Sequence, residues 1–165
     1  MVARVFSRKD GFDWALRNRK LAGAAAAVGL LSMTATSLLQ LGAVEHLPDP
    51  PLPGFDSDKV NLSPQAFPLG VPDGPLAMGA YVTALALAAW GPADRPRTQP
   101  WVPLAAGAQA SVLAAVSAYY FYSMAAKEHA WCGYCILAAL ASFSIVGLAF
   151  PEAKAALDSV RKDRP

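Results

Sequence analysis

The chain has 165 residues, 55% of them hydrophobic and only 16% charged, with a net charge of +2 and a mean hydropathy of +0.31. An ordinary soluble domain carries roughly 25% charged residues, so the composition excludes that class. Nothing in it points to a nucleic acid as partner.

Four stretches are almost free of charge: 21–44, 75–91, 101–126 and 131–150. Each is near the roughly 17–25 residues that cross a bilayer as a helix. Buried helices of a soluble protein would show polar faces, and these do not. The sequence predicts an all-α membrane protein, a bundle of four transmembrane helices with a long outer loop between helices 1 and 2. Residues 1–20 form a basic arm, 21–150 the membrane domain and 151–165 a tail.

The arm places Phe12 and Trp14 among basic neighbours, where they can rest at the membrane interface. It is not read as a secretory signal, because the following apolar run exceeds the 7–15 residues of a signal core. The first helix is rich in Ala, Gly, Ser and Thr, which permits close helix packing. The segment 45–74 holds Pro48, Pro50, Pro51, Pro53, Pro64, Pro68 and Pro72, which argues against a helix of any length. Its apolar members, among them Phe55, Val60 and Phe67, argue against plain disorder. It is expected to fold as a cap over the outer end of the bundle. Pro75 suits the first turn of helix 2. Helix 3 carries Tyr119, Tyr120 and Tyr122 near its outer end, and the short link to helix 4 makes the two antiparallel neighbours.

Lys and Arg are unevenly placed. Six precede the first helix (Arg4, Arg8, Lys9, Arg17, Arg19, Lys20), two follow the second (Arg95, Arg97) and four follow the fourth (Lys154, Arg161, Lys162, Arg164). The other sides hold only Lys59 and Lys127. Positive charge stays inside, so both termini are expected in the cytoplasm of a multi-pass protein of the cell (inner) membrane.

The only cysteines, Cys132 and Cys135, open the fourth helix. A CxxC spacing puts both sulfurs on one face, one turn apart, and a helix N-terminus favours the reactive thiolate. Cys135 is expected to lie deeper than Cys132, so one sulfur meets the aqueous side and the other the membrane. The outer side is also where disulfides form. A c-type haem would need His at 136, which is Ile. A zinc-like set with His46 and His129 is conceivable, though the ligands are scattered, and no metal site is assigned. A structural disulfide would close too small a loop to stabilise much. Two inert buried thiols are the bland alternative.

Four helices, a long loop after the first and CxxC at the outer start of the fourth resemble the vitamin K epoxide reductase family. The segment "SDKVNLSPQAFPLGVPDGPLAMGAY", 57–81, is similar to the family's approach to helix 2. There Val60, Ser63, Ala66, Gly70, Val71 and Pro72 match. The resemblance implies a quinone-dependent thiol oxidoreductase using a quinone of ubiquinone or menaquinone type. In it Cys135 would face the quinone and Cys132 would exchange with a soluble outer-side thioredoxin-like thiol protein. Ser63 would be a polar contact of the quinone, and Tyr119, Tyr120 and Tyr122 would wall its pocket. Alternatives remain for these residues: a Ser-Pro turn and an interfacial aromatic belt. The chain departs from the family in lacking a second cysteine pair in the loop, with Ser57 at the matching position. The cap is therefore expected to leave Cys132 more accessible to an external donor than a cysteine-bearing loop would. A non-catalytic quinone-binding or assembly subunit, or a metal-binding membrane protein, are the alternative readings.

Overall fold

The computed structural model describes residues 12–162. Helix α1 spans Asp13–Gln40, α2 Ser57–Asn61, α3 Asp73–Ala89, α4 Arg95–Thr98, α5 Trp101–Ser123 and α6 Gly133–Lys162. Two 3-10 turns, Pro64–Ala66 and Pro68–Gly70, precede α3, and a π turn, Met124–Glu128, follows α5. Among the described residues there is no strand, only an isolated parallel bridge between Phe55 and Trp131. Three helices are long and apolar enough to cross a membrane: α1, α5 with its π turn, and α6. The chain is thus an all-helical membrane protein. The apolar helix α3 has 17 residues, about 26 Å at 1.5 Å per residue, slightly under the roughly 30 Å hydrocarbon core.

Several boundaries differ from the sequence expectation, each for a local reason. The first helix begins at Asp13, inside the basic arm, and ends at Gln40 rather than 44. Gly42 stops it at a φ of 71°. Its N–H bonds Leu39 O at 3.0 Å and that of Ala43 bonds Leu38 O at 2.8 Å, the paired closure of a Schellman motif. The last helix starts at Gly133 rather than 131 and runs through Pro151 to Lys162. Its final turns are tied down by Ser159 Oγ, which donates to Pro96 O at 2.6 Å. The segment 45–74 does contain a helix, α2, in the proline-free stretch between Pro53 and Pro64. The Asp56 side chain caps α2 by accepting the Lys59 N–H at 2.8 Å. Arg4, Arg8, Lys9 and Arg164, used above for orientation, lie outside the described residues.

Helix α1 packs on α3 and α6, α5 packs on α6, and α3 touches α5 more sparingly. The core is built largely from small residues: Ala26, Ala84, Ala110, Ala138 and Ala141 surround Met33, Tyr81, Leu113 and Ile145. Small residues let helix backbones approach where no hydrophobic effect drives them together. Gly29 shows the requirement most sharply, since a Cβ there would lie 2.2 Å from the Tyr81 ring. Tyr81 is buried and its hydroxyl donates to Ala138 O at 2.7 Å. Large side chains such as Leu31, Val112, Leu140 and Phe150 point outward, as suits contact with lipid.

At the end remote from the cysteines, two arginines collect the carbonyls that terminate α3. Arg19 donates to Ala88 O, Trp90 O, Gly91 O and Pro92 O at 2.8–3.1 Å. Arg95 donates to Leu87 O and Trp90 O at 2.6 Å each. Its other edge grips Glu152 of α6 in a two-point ion pair at 2.7 and 2.6 Å. Helix ends leave such carbonyls without partners, and in lipid each would be costly.

Candidate active site

Cys132 sits one residue ahead of α6 and caps it. Its carbonyl accepts the Ile136 N–H at 3.0 Å, and its sulfur accepts the Cys135 N–H at 3.1 Å. This is the bonding of an N-cap residue, performed by a sulfur. Both cysteines are free and their sulfurs lie against one another, as a pair that closes into a disulfide must.

Asn61, at the end of α2, lies against both sulfurs. Its Nδ2 donates to Cys132 Sγ at 3.2 Å and to Ser57 O at 2.7 Å, while Oδ1 lies 3.6 Å from Cys135 Sγ. The Cys132 thiol is held below its ordinary pKa. The Cys135 S–H against it is the largest cause, and burial, working the other way, is outweighed once the Cys135 N–H and Asn61 are added. Donors aimed at a sulfur favour its thiolate.

The segment before α2 closes over this pair. Asp56 N bonds Trp131 O at 3.0 Å and Trp131 N bonds Gly54 O at 2.8 Å. Asp49 accepts Ser57 N at 2.7 Å and Ser57 Oγ at 2.6 Å. Tyr134 OH donates to Pro48 O at 3.1 Å. His46 pairs with Asp58 at 2.8 Å. Burial works to raise the Asp58 pKa, but the Leu47 N–H and His46 outweigh it and leave the carboxyl below its usual range.

Cys132 is fully buried beneath the cap. The reason is the pairing of Gly54–Asp56 with Trp131, together with the packing of Val60, Met124 and Ala130 around the sulfur. Exposure therefore requires local opening. Asp49→Ala removes two bonds to a charged group, worth about 1.5–3 kcal/mol each. In a Cys135→Ser background it should speed labelling of Cys132 by a water-soluble maleimide by about 100-fold or more. Equal rates with and without Asp49 would show that these bonds do not hold the cap.

Beside the pair lies a cavity of about 560 Å³, lined by Cys135 but not by Cys132. Asn61, Ser63, Asp73, Tyr120, Ser123 and Glu128 supply polar groups to an otherwise mostly apolar wall. Three buried atoms on this wall have no hydrogen-bond partner: Ser63 Oγ, Ser123 Oγ and Glu128 Oε1. Leu76 of α3 and Val112 and Val116 of α5 also line it while exposed on the outer surface. The cavity thus opens sideways between α3 and α5.

Of the residues singled out in the sequence, Cys135, Ser63 and Tyr120 share the cavity wall. Tyr119 and Tyr122 do not line it: they are exposed, and Tyr119 stacks under the Lys127 ammonium. Neighbouring helical positions point in different directions, so three tyrosines in four residues cannot share one wall. His46 is engaged by Asp58, and among the described residues no group of three or more His, Cys, Asp or Glu is arranged to hold a metal ion. Asn61, Asp73 and Gln40 were missed. Asn61 alone left a trace, as a polar residue between Val60 and Leu62.

None of the curated proteins compared matches the chain. The family model described as "Vitamin K epoxide reductase family" matches residues 20–150. That span contains the dithiol, the cap and the whole cavity wall, and covers well over half the chain. The chain belongs to the vitamin K epoxide reductase family, a family of membrane oxidoreductases.

Proposed function

We propose that this protein couples the Cys132–Cys135 dithiol to a membrane quinone and so oxidises a soluble thioredoxin-like thiol protein on the outer side. One observation carries the reading: Cys135 faces the cavity while Cys132 faces the cap. The two sulfurs thus serve two compartments while remaining in contact.

The cavity fits a quinone head group. Its volume lies within the roughly 300–1,000 Å³ of small-molecule pockets. The partnerless hydroxyls of Ser63 and Ser123 suit carbonyl oxygens, and the side opening suits entry from lipid. A bound quinone supplies a two-electron, two-proton acceptor. Ser63 and Ser123 would orient it, Tyr120 would wall it, and Cys135 would be the sulfur nearest to it. Cys132, with its lowered pKa, would receive the donor's disulfide exchange once the cap opens. The distribution of Lys and Arg supports four membrane spans with both termini in the cytoplasm. In the short helix α3 the end is completed by Arg19 and Arg95.

Ser57, buried and bonded to Asp49 where relatives carry a relay cysteine, favours a second reading, a non-catalytic quinone-binding subunit. Purified protein, reduced anaerobically and freed of reductant, separates the two. It should pass two electrons per molecule to an added short-chain ubiquinone or menaquinone and emerge with a Cys132–Cys135 disulfide. Protein that binds the quinone but keeps its thiols reduced would be the non-catalytic form.

A further inference from the structure

The cavity contains a carboxyl group that the dithiol chemistry does not yet use. Asp73 opens α3 and lines the cavity. Its Oδ1 accepts Gln40 Nε2 at 2.6 Å, and Tyr120 lines the same cavity. Gln40 has no freedom to turn, because its Oε1 accepts the Gly74 N–H at 3.0 Å. The same Nε2 reaches Asn61 O at 3.2 Å, and the Asn61 side chain touches both sulfurs. Gln40 therefore links Asp73 to the backbone of Asn61, the residue whose side chain lies against the dithiol, and Asp73 and Asn61 both line the cavity. An ionisable group in a membrane cavity is expensive to keep and marks a site of function by default. The partnerless Ser63 and Ser123 hydroxyls on the same wall independently point to a polar ligand there.

We propose that Asp73 is the proton donor of the cavity, a role that rests on the quinone-coupled reading above. Forming the Cys132–Cys135 bond releases two electrons and two protons, and converting a quinone to its hydroquinone requires the same. Asp73 enters the step as the carboxylic acid and gives its proton to the nearer carbonyl oxygen of the acceptor. It regains one of the two protons shed by the dithiol within the cavity that Cys135 and Asp73 share. The other thiol proton goes to the second oxygen; where Cys132 is already a thiolate, that proton has passed to solvent and is taken back from it, so the count still balances. Gln40 is a positioning residue that aims the acid.

The test compares wild type, Asp73→Asn and Asp73→Glu. Asn keeps the size and an oxygen to accept from Gln40, but has no proton to give. Single-turnover oxidation of the reduced dithiol by a short-chain quinone should slow by about 100-fold or more in Asp73→Asn, the usual range for a lost general acid. Asp73→Glu should recover much of the rate. Quinone affinity, followed by tryptophan fluorescence, should stay within about threefold in both, as expected when an interaction of the transition state alone is removed. A readout free of turnover is the infrared carboxylic-acid band: quinone binding to oxidised wild type should shift it, and Asp73→Asn should lack it. A rate in Asp73→Asn within threefold of wild type, or no responsive acid band in wild type, would overturn the proposal and leave quinone coupling intact. A wild-type dithiol that no quinone oxidises would instead overturn the reading beneath it.

Discussion

Glu152→Gln should destabilise the protein by about 3–5 kcal/mol, the cost of leaving one partner of a buried ion pair without its counter-charge. Arg95 and Glu152 are both almost completely buried, and the contact has two points. The amide can still accept one hydrogen bond, but it cannot offset the guanidinium charge. The effect should be read as a lower unfolding midpoint in detergent or as a lower denaturant midpoint in lipid. Arg95→Met should be at least as damaging, because it also strips donors from Leu87 O and Trp90 O. Combining Arg95→Met with Glu152→Leu removes both charges, and a buried pair so replaced is often near neutral. Here recovery should be partial. The α3 carbonyls stay uncapped except for those Arg19 holds, and complete recovery would show that the capping contributes nothing.

That cluster also shows what the sequence concealed. In the sequence Arg19 and Arg95 stand only as charges that orient the chain; in the structure both cap α3, and Arg95 also joins it to α6. No pattern in the sequence links positions 57 residues apart. Hydrophobicity located the apolar stretches well, because lipid contact demands long runs of large apolar residues. It located their ends poorly, because Gly42 and the ties on Pro151's far side set those. Pro151 reads as a stop, yet α6 passes through it. The dithiol was legible since CxxC ahead of an apolar run is a local pattern. Its surroundings were not. The burial of Cys132 depends on Phe55 meeting Trp131 across 76 positions of chain, and the choice among Tyr119, Tyr120 and Tyr122 depends on helix phase. Asp73 carries no signal of its own in the sequence, because a carboxylate in the first turn of a helix is ordinary.

Asn61→Ala should move the titration of Cys132 to higher pH by about 1–2 units, the equivalent of one hydrogen bond to a charged group at roughly 1.5–3 kcal/mol. Three donors converge on the Cys132 sulfur, from Cys135 Sγ, Cys135 N and Asn61 Nδ2. Each favours the thiolate, so the folded pKa lies below the ordinary thiol value and the thiolate persists to lower pH. Removing the Asn61 donor leaves burial less opposed, and burial raises a thiol pKa. With a pKa of about 7 the thiolate is about half the population at pH 7, and a rise of that size should lower the fraction about 5–50-fold. Ultraviolet absorbance of the thiolate in the fully reduced protein measures this without requiring a reagent to pass the cap. Asn61→Asp separates electrostatics from packing. It keeps the volume, loses the donor and adds a negative charge beside two sulfurs, so its shift should exceed that of Asn61→Ala. A residue that only fills space would give the opposite order, with Ala the more disruptive and Asp nearly silent. The rate of quinone reduction should follow the thiolate fraction across both variants, because the thiolate is the reactive form of the dithiol and its two electrons pass to the quinone as the Cys132–Cys135 bond closes. If both variants titrate as wild type does, Asn61 holds the cap in place and does nothing for the sulfur.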